Sequence, residues 1–443
     1  MAADAAELES LRAARAELDA RIAALETALG KPPLVSPLAP EAFPVLAPMA
    51  GVTLATANSG TKYRGRDDLL LVRLAAGTTM AGTFTRSATR AAPVLWCEER
   101  LAAHDGAGGF GIVVNAGNAN AFTGAPGREA VARVTEAAGS ALGIPGGAIF
   151  AASTGVIGEP LDLAAMSAAV ADLAHALAPG GFEAAARAIM TTDTFAKGAS
   201  TTVDLDGAPV TITGIAKGSG MIAPDMATML VFIFTDAPVA QPLLQAAVST
   251  LTEATFNAIT VDSDTSTSDT LLVAATGAAP ILPLRDAGDP RLAPFEAALG
   301  TVMQDLALQV VLDGEGASKL VRIVVEGAES DVSARRLGLA VANSPLVKTA
   351  IAGEDPNWGR IVMAVGKAGE PADRDLLSIR FGPVTVATRG WRAPDYDEAK
   401  AAAYMQGTEI EIGIDIGIGQ GRATVHTCDL TRRYIEINAD YRS

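Results

Sequence analysis

Residues 217–236 read Lys-Gly-Ser-Gly-Met-Ile-Ala-Pro-Asp-Met-Ala-Thr-Met-Leu-Val-Phe-Ile-Phe-Thr-Asp. A polar, glycine-rich loop runs straight into an unbroken apolar strand, Met229 to Phe234. Thr228 is the last polar residue before that strand, where packing would fix its side chain. A threonine hydroxyl is a weak nucleophile and needs a nearby proton acceptor. If the bond between Ala227 and Thr228 were cut, Thr228 would gain an α-amine with a pKa of about 7.7–8.0, close enough to neutral to act as its own base. Spacing alone favours the plainer reading, in which Thr228 merely starts a core strand.

Outward from this stretch, short apolar runs such as Asp68 to Leu74, Gly111 to Asn115 and Gly147 to Ala152 read as strands. Ala-rich segments between them, Leu161 to Leu177 and Phe182 to Met190, favour helices. Val321 to Glu326 reads as a strand leading into a helical stretch from Ser330 to about Ala352. The last forty residues read as β: isoleucines at 410, 412, 414, 416 and 418 alternate with Glu, Gly and Asp, Gly419 to Gly421 is the turn, and Arg422 to Thr427 returns. Strands and helices alternate without a strict β-α-β period. The expected fold class is therefore α/β, or α+β, with layered mixed sheets sandwiched by helices.

Ahead of all this, Leu8, Leu11, Leu18, Ile22, Leu25 and Leu29 fall on a and d heptad positions, with Arg15 at one a position, and Gly30, Pro32 and Pro33 end the pattern. This is an amphipathic helical extension, read as a solvated appendage in preference to a coiled coil because three heptads are few. The expected organisation is an extension and linker over 1–35, then 36–227 and 228–443.

The 443 residues are 49% hydrophobic and 19% charged, with a formal net charge of −16. That charge disfavours nucleic acid and anionic membrane surfaces as partners. Only Cys97 and Cys428 occur, so neither a disulfide framework nor a four-thiolate zinc site can form, and a cytoplasmic location is expected. No stretch reads as a signal or as a membrane span, and no metal site is expected.

Two motifs mislead. Gly106, Gly108 and Gly111 match G-x-G-x-x-G, yet a helix-like stretch precedes them and a strand follows, the reverse of a dinucleotide fingerprint. Gly314 to Lys319 is too short for a phosphate loop, although it holds Glu315 between two glycines. His104, His175 and His426 lie in no nucleophile or metal motif.

The stretch Lys217 to Leu230 resembles the self-cleavage segment of the ornithine acetyltransferase family, the glutamate N-acetyltransferases of arginine biosynthesis. Further matches follow in family order: Phe84 to Arg86 with Ala92 to Val94, Asn115 to Asn120 with Thr123 and Gly124, Ser153 to Gly158, Met190 to Asp193, Asp355 to Arg360 and Asp429 to Ser443. The resemblance covers the chain from about Ser36 and leaves the extension out.

It implies a self-processing, N-terminal-nucleophile-like enzyme cut between Ala227 and Thr228. Thr228 would be the nucleophile, Thr154 and Gly155 the oxyanion hole, and Thr191, Lys217, Thr228, Glu315, Asn438 and Ser443 the substrate contacts, with Thr192 a less favoured substitute for Thr191. Taken on their own residues, Thr154 and Gly155 also fit an ordinary strand-to-helix turn, and Asp355 to Arg360 a structural turn near the pocket whose Arg360 could fork onto a carboxylate. The implied reaction carries an acetyl group from acetylornithine to glutamate, with no cofactor. Acetyl-CoA as a second donor is left open. The implied assembly is a heterotetramer of two α chains ending at Ala227 and two β chains starting at Thr228. Two other readings remain: a self-cleaving amidohydrolase or aminopeptidase, and a non-catalytic homologue.

Overall fold

The computed structural model describes residues 35–103, 106–223 and 229–439. The helical extension, His104, the Ala227–Thr228 bond and Ser443 lie outside the described residues. Residues from Ser36 onward make one unit.

Fifteen strands and eleven α-helices are found among the described residues. They begin β1 (Val52–Ala57), β2 (Leu69–Leu74), β3 (Thr79–Phe84), α1 (Ala92–Ala103), β4 (Phe110–Asn118), α2 (Gly124–Leu142), β5 (Ile149–Val156), α3 (Leu163–Ala174) and α4 (Phe182–Ala188). Next come β6 (Lys197–Leu205), β7 (Ala208–Lys217), β8 (Leu230–Thr235), α5 (Gln241–Ala254), β9 (Thr270–Ala275), α6 (Leu292–Leu312) and β10 (Leu320–Ala328). The rest are α7 (Asp331–Ala342), α8 (Pro345–Ala352), α9 (Trp358–Gly366), β11 (Ser378–Phe381), β12 (Val384–Thr388), β13 (Trp391–Arg392), α10 (Glu398–Met405), β14 (Glu409–Asp415), β15 (Gly421–Cys428) and α11 (Arg432–Ala439).

The strand quoted above, β8, is buried on both faces and lies inside a five-stranded sheet ordered β3-β9-β8-β7-β6. Its period-two alternation divides it between two cores. Val231 and Ile233 pack with Leu299, Val302 and Leu306 of α6 and with Leu244 and Val248 of α5. Leu230, Phe232 and Phe234 face Leu70, Val72, Ile112 and Phe150 of a second sheet, ordered β1-β2-β4-β5. That sheet's other face, with Leu69, Leu71 and Val113, is covered by Val131 and Val134 of α2 and Met166 and Val170 of α3. The layers run helix, sheet, sheet, helix, the mixed α/β sandwich expected from the sequence. Because β3 pairs with β9 and β7 with β8, segments 36–227 and 228–443 share one sheet and are not separate domains.

A six-stranded sheet ordered β13-β12-β11-β14-β10-β15 completes the fold. Ile410, Ile412, Ile414 and Ile416 are buried there beneath α7, α8 and α9, while Ile418 is exposed past the strand's end. Here the sequence reading needs correction. The Ile-rich strand and its return do not form a hairpin, because β10 inserts between them, parallel to β14 and antiparallel to β15. The last described residues are not β either: α11 spans Arg432–Ala439. The helical stretch from Ser330 is two helices, broken where the Ser344 hydroxyl caps Val347 N–H and Pro345 opens α8.

One more expectation fails. The helix α6 is long and apolar enough to cross a membrane by length and composition. Its Leu299, Val302, Met303, Leu306 and Val310 instead fill the core against β6 and β7.

Candidate active site

Strand ends, loops and one helix from six separate parts of the chain meet at one cavity of about 250 Å³. Thr154 and Gly155 come from the end of β5, Thr191 and Thr192 from the turn after α4, and Lys217 is the last residue of β7. Glu315 sits in the loop after α6, Asn438 on α11, and Ser266 to Ser268 precede β9. Of the residues expected at the site, all those that are described line this cavity.

Thr154 and Gly155 do not form a helix cap: they remain in β5, and Asp162 caps the following helix. Gly155 is required by its surroundings. Its φ is +130°, and a Cβ there would stand 2.3 Å from the carbonyl carbon of Gly117 on β4. Having no side chain, Gly155 lines the cavity with its backbone beside Thr154.

Glu315 is held from three sides. Its backbone N–H donates to Ser219 O (2.9 Å), its Oε2 accepts from Asn438 Nδ2 (2.7 Å), and Gly220 leaves room for its carboxylate, which a Cβ would meet at 2.5 Å. Burial raises its pKa above the ordinary carboxylate value, with the Asn438 and Thr192 hydrogen bonds opposing. Thr192 also shares a 2.6 Å hydroxyl contact with Ser219, whereas Thr191 presents its backbone N–H to Asp193 Oδ2 at 3.0 Å.

Sequence reasoning gave no role to two buried carboxylates that organise this site. Asp193 accepts from Gly218 N–H (2.6 Å) and Lys197 Nζ (2.7 Å), and Lys197 in turn reaches Asp313 at 2.5 Å. Burial opposes its ionisation, but Lys197 and Lys217 outweigh that and hold it below the usual range. Asp269 Oδ1 accepts Met229 N–H at 3.0 Å, fixing the residue that leads into β8 and that Thr228 precedes in the chain. Its Oδ2 is buried without a hydrogen-bond partner among the described residues, and burial pushes its pKa well above the ordinary value. Asp269 carries one signal that could have found it: like Thr228, it is a polar residue immediately before a buried apolar strand.

Other expected features lie elsewhere. Asp355 to Asn357 link α8 to α9 outside regular structure, none of the segment lines the cavity, and Arg360 meets no carboxylate among the described residues. Its Nη1 donates to Leu346 O (2.5 Å) and Thr349 Oγ1 (3.3 Å), tying α9 to α8. His175 is exposed at the end of α3, and His426, on β15, is lowered to about 4 by burial and Arg322. Neither lines the cavity.

The ArgJ family model matches residues 53–443. The arginine biosynthesis bifunctional protein ArgJ of Ruegeria pomeroyi is 61% identical over 410 residues, covering 92% of this chain and 98% of the relative. That of Bradyrhizobium diazoefficiens is 56% identical over 412 residues, covering 92% and 99%. Among solved structures, a Bacillus halodurans arginine biosynthesis bifunctional protein is 40% identical, covering 47% of this chain and 97% of that one, with a TM-score of 0.46. An ornithine acetyltransferase from Mycobacterium tuberculosis complexed with ornithine is 33% identical, covering 42% and 94%, with a TM-score of 0.34. A match across nearly the whole described chain, at such identity and over the segments that build the cavity, leaves one conclusion: the chain belongs to the ArgJ family of bifunctional arginine biosynthesis proteins.

Proposed function

We propose that the chain cuts itself between Ala227 and Thr228 and then carries an acetyl group from acetylornithine to glutamate on the Thr228 hydroxyl. The observation that carries this reading is the convergence of Thr154, Gly155, Thr191, Lys217, Glu315 and Asn438 on one cavity. Thr228 belongs beside it by chain connectivity, since Met229 is bonded to Asp269, which follows the cavity-lining Ser266 to Ser268.

In cutting, the Thr228 oxygen attacks the Ala227 carbonyl carbon, the C–N bond breaks and the nitrogen leaves with the hydroxyl proton as an α-amine. Water hydrolyses the resulting ester and regenerates the hydroxyl. In transfer, the α-amine takes the hydroxyl proton while the oxygen attacks the acetyl carbonyl of acetylornithine; the amide C–N bond then breaks and ornithine departs with that proton on its nitrogen. The neutral α-amine of glutamate then attacks the acetyl ester, the bond between the acetyl carbon and the Thr228 oxygen breaks, and the proton shed by the glutamate nitrogen returns through the Thr228 α-amine to the hydroxyl. Thr154 and the Gly155 backbone face the oxygen that becomes negative at each stage. Glu315 supplies the negative charge for an ammonium group of the substrate, and Asn438 holds it in place. Ser443, five residues beyond Asn438, is retained as a substrate contact on the family resemblance alone. The two chains are proposed to assemble as two α and two β, with acetyl-CoA open as a second donor.

Mass analysis of purified protein tests this directly. Fragments breaking before Thr228, with acetylglutamate formed as acetylornithine disappears, are expected. Loss of acetylornithine without acetylglutamate would mean hydrolysis instead. An intact, fully active chain would refute the mechanism.

A further inference from the structure

Met221 lines the cavity and takes no part in the transfer steps. It is 37% exposed, whereas Thr154, Lys217 and Glu315 are buried, so Met221 stands at the rim and the polar groups lie deeper. Its backbone is held at φ +57°, in the left-handed region. A residue with a Cβ occupies that region only at a cost, and glycine occupies it freely.

Asp262 offsets the strain. Its Oδ2 accepts from Met221 N–H (2.6 Å) and its Oδ1 from Ile222 N–H (2.9 Å). The same Oδ2 accepts from the Tyr434 hydroxyl of α11 (3.3 Å), and α11 carries Asn438, the partner of Glu315. A turn that glycine would make without strain thus keeps a long apolar side chain, tied to the elements that hold Glu315. Strained conformations of this kind persist where their surroundings over-determine them, and they cluster at ligand clamps.

The neighbours say what such a side chain is for. Gly220 brings the backbone against Glu315, since a Cβ there would stand 2.5 Å from the carboxylate. Met221, the next residue, is therefore an apolar group at the carboxylate end of the cavity, while Val156 and Ile157 are apolar at the Thr154 end. In acetylornithine, three methylenes separate the α-carbon from the ammonium nitrogen. Those methylenes gain from apolar contact, and methionine, unbranched and polarisable, is suited to lie along them.

We propose that Met221 is the length gauge for the acetyl donor: its side chain lies along the methylenes between α-carbon and ammonium group and closes the space that a longer amine would need. This rests on the reading of Glu315 as the partner of the substrate ammonium.

The test compares wild type, Met221→Gly and Met221→Leu, reading kcat and KM per cut chain for N2-acetylornithine and for N2-acetyllysine, which is one methylene longer. One methylene in an apolar site is worth about 10- to 200-fold in discrimination, and wild type should favour acetylornithine within that range. Met221→Gly keeps both Asp262 bonds, which are made to main-chain N–H groups, and relaxes the backbone. Its preference should fall about tenfold or more, through a higher KM for acetylornithine and a lower one for acetyllysine. Met221→Leu, of similar volume, should retain most of the preference.

A merely structural role would weaken both donors alike. An unchanged ratio in Met221→Gly, or a wild-type chain without preference, would overturn the assignment. Should Met221→Gly stay uncut, the ratio is read instead from the dissociation constants of ornithine and lysine, which need no acetyl-enzyme. Glu315→Gln separates this failure from that of the reading beneath it: an unchanged KM for acetylornithine in that variant would show that Glu315 does not hold the ammonium.

Discussion

Asn438 Nδ2 donates to Glu315 Oε2 across 2.7 Å, joining the last helix to a loop 123 residues earlier in the chain. Helix α11 buries none of its side chains. It is held by this bond, by the Tyr434 hydroxyl donating to Asp262 (3.3 Å) and by the Thr431 hydroxyl donating to Gly316 O (2.7 Å). Asn438→Ala should therefore leave the fold intact while freeing the Glu315 carboxylate. A hydrogen bond to a charged group contributes about 1.5–3 kcal/mol to stability, so thermal unfolding should stay cooperative with a midpoint a few degrees lower, while steady-state kinetics should show a raised KM for acetylornithine as Glu315 loses its support.

Glu315 also sets a pH dependence. Burial favours its neutral form, so it takes up a proton at higher pH than an ordinary glutamate. The ionised form is the one that can hold an ammonium group. The Thr228 α-amine must be neutral and sets the first acid-side fall of kcat/KM, at about 7.7–8.0; Glu315 adds a second fall at lower pH, still above the usual carboxylate range, and Glu315→Gln should weaken binding and remove that second fall. A pH series of initial rates checks both.

Gly155→Ala introduces a Cβ that collides with Gly117 at a φ no other residue adopts readily. The strand end must shift, carrying Thr154 with it. Acetyl transfer should fall about 10²- to 10³-fold, the scale for losing an oxyanion donor, with far-ultraviolet circular dichroism unchanged. An active Gly155→Ala enzyme would remove Gly155 from the oxyanion hole.

Asp193→Asn removes the shared partner of Lys197 and Lys217 inside the protein. Breaking a buried ion pair from one side costs about 3–5 kcal/mol, and denaturant unfolding at neutral pH should show a loss of that order. In the native chain the folded-state pKa of Asp193 is held low. Its contribution is thus fully present above the unfolded-state value of about 3.9 and is lost as pH falls further, toward the folded-state pKa.

Cutting before Thr228 should not release the two chains. Strands β3, β6 and β7 on one side and β8 and β9 on the other belong to one sheet, with β8 buried on both faces. The fragments should co-elute in native gel filtration and separate only in denaturant. Spontaneous separation in buffer would contradict the shared core.

Local pattern carried much of this protein. The apolar run 230–235, the alternating isoleucines of β14 and the Ala-rich helices each bury a face set by the period of their own segment, so one stretch of sequence suffices to read them. The chemistry expected of the segment Lys217 to Leu230 came instead from its resemblance to a known family, since the spacing of loop, threonine and strand alone favoured a plain core strand. Tertiary structure alone decided that β10 separates β14 from β15, that Asp193 lies against Lys197 and Gly218, and that Asp269 holds Met229. These contacts join segments whose order in a sheet or around a cavity is set by how whole layers pack. An aspartate buried against a lysine looks, in sequence, like any aspartate in a turn, because its role resides in the partner and not in its neighbours along the chain.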